Sequence, residues 1–476
     1  MNYAELIEVD LGKLGTAVAD WKRMSGGLQR LGGEARDGLK AKAGKARWEG
    51  VNAGVTRDFT GRTVKEFEDL HTEAKSIFSV LDDAHAELKS LQQQAKNLTD
   101  DARENGFNVR VGKDGATVIV EPLLCTVKGP GQREQDLMRW YADTLTDVVI
   151  HAGEVDAAAV RALRASHGGD PSNPGHASYT SLDGEMLPRA MKLASLGEDA
   201  NATQRKELRR LWQSLSPESR AQMWIQHKDD LLAAGLLTPT VKQVAADKGA
   251  GPFDARSPGV GDYWKEVQAN GISNSGDFIG MTDAARHMDH YLNGSGRTLD
   301  LDVDRMLTDD AALRDHTAMV RGAEQEEWRR QALDAFDKSG GKPVAIPVET
   351  WGEGYEHSDR NWYLAVGSAM SNTTGVVTVV PGPDGEPQVG IDYQVNIWDR
   401  YNWDPGKSTP IGPTTVTDAD MARLHQTGLA REFDMRGSSS VQHHNLGPDG
   451  GGSWPDPQDP GRDGTRKDLG RNGDAR

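Results

Sequence analysis

Cysteine is almost missing from this chain: Cys125 is the only one in 476 residues, so neither an intrachain disulfide nor a cysteine zinc site can form. Its neighbours Leu123, Leu124 and Val127 point to a buried, inert thiol. No run of about 20 apolar residues occurs, so no membrane insertion is expected. The opening stretch, MNYAELIEVDLGKL, lacks a basic segment leading into an apolar one, so no Sec-type signal is expected and export would take another route. Positive charge is also in deficit. With 55 Lys and Arg against 72 Asp and Glu, the formal charge is −17, and no basic stripe stands out along the chain. A nucleic-acid partner is therefore excluded and an anionic membrane surface disfavoured. No cofactor is expected.

What is present suits two or three domains, each able to bury its own core. Only 36% of the residues are apolar and 54 are glycine, so loop-rich or unfolded stretches should accompany globular parts. From Ile7, apolar residues recur at Leu11, Leu14, Val18, Trp21 and Leu28, then at Ala35 and Leu39, with Ser25 and Gly32 as gaps. This is heptad spacing on one long helix. A second series runs through Thr63, Phe67, Leu70, Ala74, Ile77, Leu81, Ala84, Leu88, Leu91, Ala95, Leu98 and Ala102. Between the two, Arg47 to Gly50 with Asn52 and Gly54 is the plausible reversal point. Residues 1–105 thus predict an antiparallel helical hairpin roughly 60 Å long.

Here the chain resembles the WXG family of small secreted helical hairpins, with Trp48 and Gly50 in the signature turn. The resemblance implies that Trp48 packs at the bend, that Gly50 permits the reversal, and that hairpins pair into four-helix bundles that engage the type VII secretion ATPase. The family's export signal, Tyr-X-X-X-Asp or Glu shortly after the second helix, is not in its usual place. Tyr179 and Asp183 have that spacing but sit in a Gly, Pro and Ser-rich stretch, where chance is the better reading. An ordinary coiled-coil arm is the alternative. The expected partner is a helical protein, or a second copy, held through residues 1–105.

Residues 106–170 predict a β-hairpin, Asn108 to Val111 and Thr117 to Val120 around Lys113 to Gly115, and then a helix from Gln132 to Ala152. His167 to Gly175 reads as a linker. Residues 171–339 predict a helical domain. Its text from Leu211 to His227, in which Ser216 and Pro217 open a new helix, resembles a segment of actinobacterial secretion-linked and polymorphic-toxin proteins. Further helices are expected at Thr282 to Leu292 and Asp309 to Lys338. Stacked pairs of this kind resemble tetratricopeptide repeats, although no 34-residue period is found and a plain helical connector is the alternative. His287, Asp289 and His290 share a helix face, but no third metal ligand is identifiable, so a polar helix face is expected and no metal.

Residues 340–436 change to period two. Trp362 to Val366, Val376 to Val380 and the alternation Val389, Ile391, Tyr393, Val395, Ile397 predict strands, with Pro383 to Glu386 as a turn. A helix capped by Thr417 follows. The strand end Trp398 to Lys407 resembles the active-site segment of the colicin M family, bacteriocins that cleave lipid II: Asp399 and Tyr401 match. Asn402 stands where the family has a second Asp, Lys407 replaces its basic end, and His425 is a candidate to approach from the helix. An amide cannot act as base or metal ligand in place of a carboxylate. The competing reading is a turn in which Trp398, Tyr401 and Trp403 pack the sheet. Residues 437–476, rich in Gly, Asp and Pro, are expected to be a disordered tail.

The fold class expected is mainly α with a small α+β C-terminal domain: a helical hairpin, a helical middle, and an antiparallel sheet with one helix. The function expected is a non-enzymatic, type VII secretion-linked interaction protein, secreted or at the cell envelope by a non-Sec route or else cytoplasmic. The alternative is a toxin-like effector acting on a lipid-linked cell-wall precursor.

Overall fold

The computed structural model describes residues 1–47, 49–112, 117–123, 132–166, 177–239, 250–278, 280–383, 385–403, 408–411, 414–447 and 454–457. The chain is mainly helical with a sheet near its C-terminus, and it divides into two compact units, residues 1–219 with 225–234 and residues 220–224 with 235–476.

In the first unit, α1 (Tyr3–Glu8) and α2 (Leu11–Glu34) are each started by a side-chain cap, Asn2 and Asp10. A π-helical stretch, Ala35–Lys40, leads into α3 (Ala41–Lys45). The chain reverses there and returns along the 54-residue α4 (Val51–Glu104). Gly50 starts that helix at φ +99°, a left-handed conformation that costs glycine nothing, and its carbonyl accepts from the amides of Ala53 and Gly54. Trp48 and Cys125 lie outside the described residues.

The contact line of α2 is a strict heptad, Leu11, Val18, Ser25 and Gly32. Leu39, which the heptad places in the seam, is 56% exposed. The π-helical stretch is the reason: its wider turn rotates the following residues off the line set by the α-helix. Leu70 of α4 is likewise outside the contact.

Beyond Ala74, α4 is buried on two sides. One faces α2, and the other is covered by α5 (Gln132–Ser166), which buries Leu145, Val148, Ala152, Val155 and Ala158. The Ser76 and Ser166 hydroxyls bond at 2.9 Å. A hairpin of β1 (Phe107–Val111) and β2 (Val118–Pro122), with Val109 opposite Val120, joins α4 to α5. Tyr141 donates to Asp101 at 2.5 Å, and burial together with that carboxylate pushes its hydroxyl up to about 12.

Next come α6 (Asp183–Ala194), α7 (Ala202–Ser214) and α8 (Pro217–Ala233). Asp183 accepts from the Ser216 amide and the Ser219 hydroxyl at 3.1 and 2.7 Å, so it secures the start of α8. That structural duty accounts for the Asp of the Tyr179–Asp183 spacing.

The second unit is built on a sheet. Its elements are α9 (Val260–Phe278), α10 (Thr282–Leu292), β3 (Leu299–Asp300), α11 (Val303–Asp309), α12 (Ala311–Lys338), β4 (Val344–Glu349), β5 (Glu353–Glu356), α13 (Arg360–Ala365), β6 (Ser368–Pro381) and β7 (Pro387–Tyr401). They continue with β8 (Ser408–Ile411), β9 (Thr414–Thr417), α14 (Asp418–Gln426), β10 (Phe433–Ser438) and β11 (Gln442–Asn445). The strand order is β3-β10-β7-β6-β4, with β11 on β7 and β5 on β6. The long β6 and β7 pair antiparallel from Met370 opposite Trp398 to Pro381 opposite Pro387.

Odd-numbered residues of β7 share one face. Val389, Ile391 and Tyr393 form a core with Trp328, Ala332 and Phe336 of α12. Val395, Ile397 and Tyr401 form another with Tyr291, Met306, Trp362 and Leu424. Even-numbered Gln394 and Asn396 are buried too and belong to a polar network, in which Asn396 bonds Asn372, Thr374, Gln394 and Ser438 at 2.7–3.0 Å.

Several expectations are corrected. Trp362 to Val366 is helical rather than a strand: Asp359 caps the Trp362 amide at 2.9 Å, and Trp362 and Ala365 bury one face at helical spacing. The helices from α9 to α12 pack with the sheet, so residues 171–339 are not one domain and no continuous repeat stack spans them. The expected class holds, mainly α with a small α+β region at the C-terminus; several helices pack on the sheet, and β3 adds to it parallel to β10. Residues 437–446 are not tail: β10 runs to Ser438, β11 adds to β7, and Leu446 is 2% exposed.

The β3–β10 contact is tight at Gly437, where a β-carbon would lie 2.2 Å from the Leu301 carbonyl oxygen. Gly437→Ala is expected to destabilise the chain by about 1–3 kcal/mol through overpacking against backbone. Urea unfolding of the variant checks this; an unchanged midpoint would refute the packing.

Candidate functional site

The candidates at the end of β7 are built into the core. Asp399 stands opposite Met435 of β10 and is half-buried. Two residues on, the Tyr401 ring stacks on Phe433 with centroids 4.9 Å apart, and Tyr291 and Trp403 lie at 5.6 and 5.8 Å. Burial raises the Tyr401 hydroxyl far above its usual value. Lys407 lies outside the described residues.

His425 is 4% exposed on α14, and both its nitrogens are engaged. Nδ1 accepts from the Glu432 amide at 3.2 Å, and Nε2 donates to the Gly251 carbonyl at 3.0 Å. That pairing fixes a neutral ring, consistent with a pKa lowered mainly by burial. Neither nitrogen is left to move a substrate proton. Tyr401 is thus packed among aromatic rings, and His425 is held between two backbone groups.

Beside His425 is a cavity of about 270 Å³ lined by Phe253, Arg400, Arg431, Glu432 and Asp434. Arg400 reaches Asp434 at 3.0 Å and Glu432 at 3.5 Å, and the Arg431 guanidinium lies over the Phe253 ring at 4.6 Å. Two guanidinium groups and two carboxylates face one another there.

The three residues of α10 considered for a metal have separate partners. His287 Nδ1 donates to the Ala365 carbonyl at 2.7 Å, Asp289 accepts from Ser273 at 2.5 Å, and His290 Nε2 donates to the Arg297 carbonyl at 2.8 Å. Among the described residues no group of three His, Cys, Asp or Glu is placed to hold a metal ion. No helix among them is long and apolar enough to cross a membrane.

The outer half of the hairpin is different in kind. Its contact line holds mostly small side chains, Ser25, Gly32 and Ala35 against Ala53 and Thr60, with Val64 the one larger apolar residue buried on this stretch of α4. The large apolar ones remain outside: Met24, Leu31, Leu39, Val51, Val55, Phe59 and Leu70 are 45–84% exposed. Met24 and Leu31 each precede a contact residue of α2 by one position, as Phe59 precedes Thr60 of α4. One step back is a 100° rotation on each helix, and in an antiparallel pair the two rotations lead to the same side. The result is an apolar seam shared by both arms. Near the turn, between Arg36 and Arg62, the sequence carries seven basic residues against three acidic ones. Composition along the whole chain hid this basic end, because the balance of the chain is acidic; the local charge of the turn region carried the signal.

No protein-family model matches this chain, and neither does any curated protein or solved structure.

Proposed function

We propose that this chain is a non-enzymatic interaction protein linked to type VII secretion, and that it works by pairing its N-terminal hairpin with a helical partner. The observation that carries the reading is the outer half of the hairpin, with mostly small residues in its contact line and Leu31 and Phe59 in solvent. Large apolar side chains gathered on one side of two helices contribute about 1.5–3 kcal/mol each once a partner covers them. The basic turn region favours a partner that is acidic where it faces that end of the hairpin. The turn at Gly50 supports the link to secretion through its likeness to WXG hairpins.

Leu31→Glu with Phe59→Glu tests the pairing. Both side chains are exposed, so the circular dichroism of the full chain should be unchanged. Affinity purification from the native cell should recover a helical partner with the wild type and lose it with the variant. Export is tested by comparing culture supernatant with lysate in strains with and without the secretion ATPase. Retention in the cells of both strains would sink the link to secretion, and an undiminished complex in the double variant would sink the seam.

A further inference from the structure

Arg321 of α12 is a buried cation that makes no ion pair among the described residues. It is 4% exposed, and its Nε and Nη1 have no hydrogen-bond partner among the described residues. Its neighbours are aromatic: the guanidinium lies 4.8 Å from the Tyr393 ring and 5.0 Å from the Trp454 ring. Trp454 also stacks on His444 of β11 at 4.3 Å and meets Tyr393 edge-on at 5.1 Å. The same short segment, Trp454–Pro457, is fastened by one further bond, from Gln442 Nε2 to the Asp456 carbonyl at 2.8 Å.

These contacts have the form of a ligand in a notch. The walls, Arg321, Tyr393 and His444, come from α12, β7 and β11, whereas the occupant comes from beyond the last strand. Seating Trp454 buries apolar ring area and adds cation–π attraction, which stabilises. It also shuts the guanidinium away from water with no carboxylate paired to it among the described residues, which is costly. The two effects oppose each other, so the closed state is held by a modest margin. Lifting the ring would return a cation to solvent.

We infer that Arg321, Tyr393 and His444 form a recognition notch for a Trp-Pro-Asp-Pro segment, and that Trp454–Pro457 fills it as a detachable tethered ligand. Tethering gives the internal segment an effective concentration in the millimolar range, so the same sequence added from outside competes poorly until the internal Trp is removed.

The test uses the full chain and a fluorescent peptide spanning Gly452 to Asp459. In fluorescence anisotropy the peptide should bind Trp454→Ala saturably, and bind the wild type at least about tenfold more weakly. A peptide with Ala in place of Trp should bind neither. Trp454→Leu, which keeps an apolar plug but lacks the indole face, should also bind the peptide, and it serves if the alanine variant does not fold. Equal binding to wild type and variant, or no binding to either folded variant, would overturn the proposal.

Discussion

Asp310→Ala is expected to lower the stability of the chain by about 3–5 kcal/mol, the cost of breaking a buried, hydrogen-bonded charged group. The carboxylate is 1% exposed at the start of α12. It accepts from the Leu313 amide at 3.2 Å, the Ser358 amide at 3.0 Å, the Ser358 hydroxyl at 2.6 Å and His357 Nδ1 at 3.1 Å. One side chain thus caps a helix and ties the loop between β5 and α13 to it. Burial by itself would raise its pKa, but the hydrogen bonds together outweigh that and hold it below the usual carboxylate value. A depressed carboxylate stabilises the fold above its unfolded pKa near 4, and that contribution fades as pH falls through the folded value. Urea unfolding at neutral pH measures the effect. A loss under about 1 kcal/mol would mean that these donors find other acceptors.

Acidification should act earlier and on more residues. His287, His357, His425 and His444 all have pKa values lowered chiefly by burial, His287 to about 3. Below about pH 6.5 the unfolded chain takes up protons on these rings while the folded chain does not. Stability is therefore fully present above pH 6.5 and falls as the pH drops toward the folded values. For His287 alone the loss at pH 5 is on the order of 2 kcal/mol. The urea midpoint should decrease clearly from pH 7.5 to pH 5, and His287→Gln, whatever its own stability, should show a shallower decrease. Parallel pH profiles for the two proteins would show that His287 is not the group responsible.

These histidines show how far residues can be read before a fold is known. The placing of His287, Asp289 and His290 on one helix followed from their spacing, and α10 does carry all three. What no spacing contains is that Ala365 and Arg297, from elsewhere in the chain, supply the oxygens that engage two of them. His425 was visible as a candidate because the helix predicted after the strand could bring it toward the strand end. Its actual partners, Gly251 and Glu432, approach from two loops and decide its role.

By itself the sequence determined the long helical hairpin, the reversal at Gly50 and the alternating strand through Ile397, because periodicity and turn chemistry act between residues close in the chain. Only the tertiary structure decided that Trp362 begins a helix's buried face, that β3 lies parallel to β10, that residues past 437 complete the sheet, and that the hairpin's large apolar residues face outward. Each of these depends on which distant surface reaches a segment first. A short stretch with weak local preference takes the conformation that its burial partner completes.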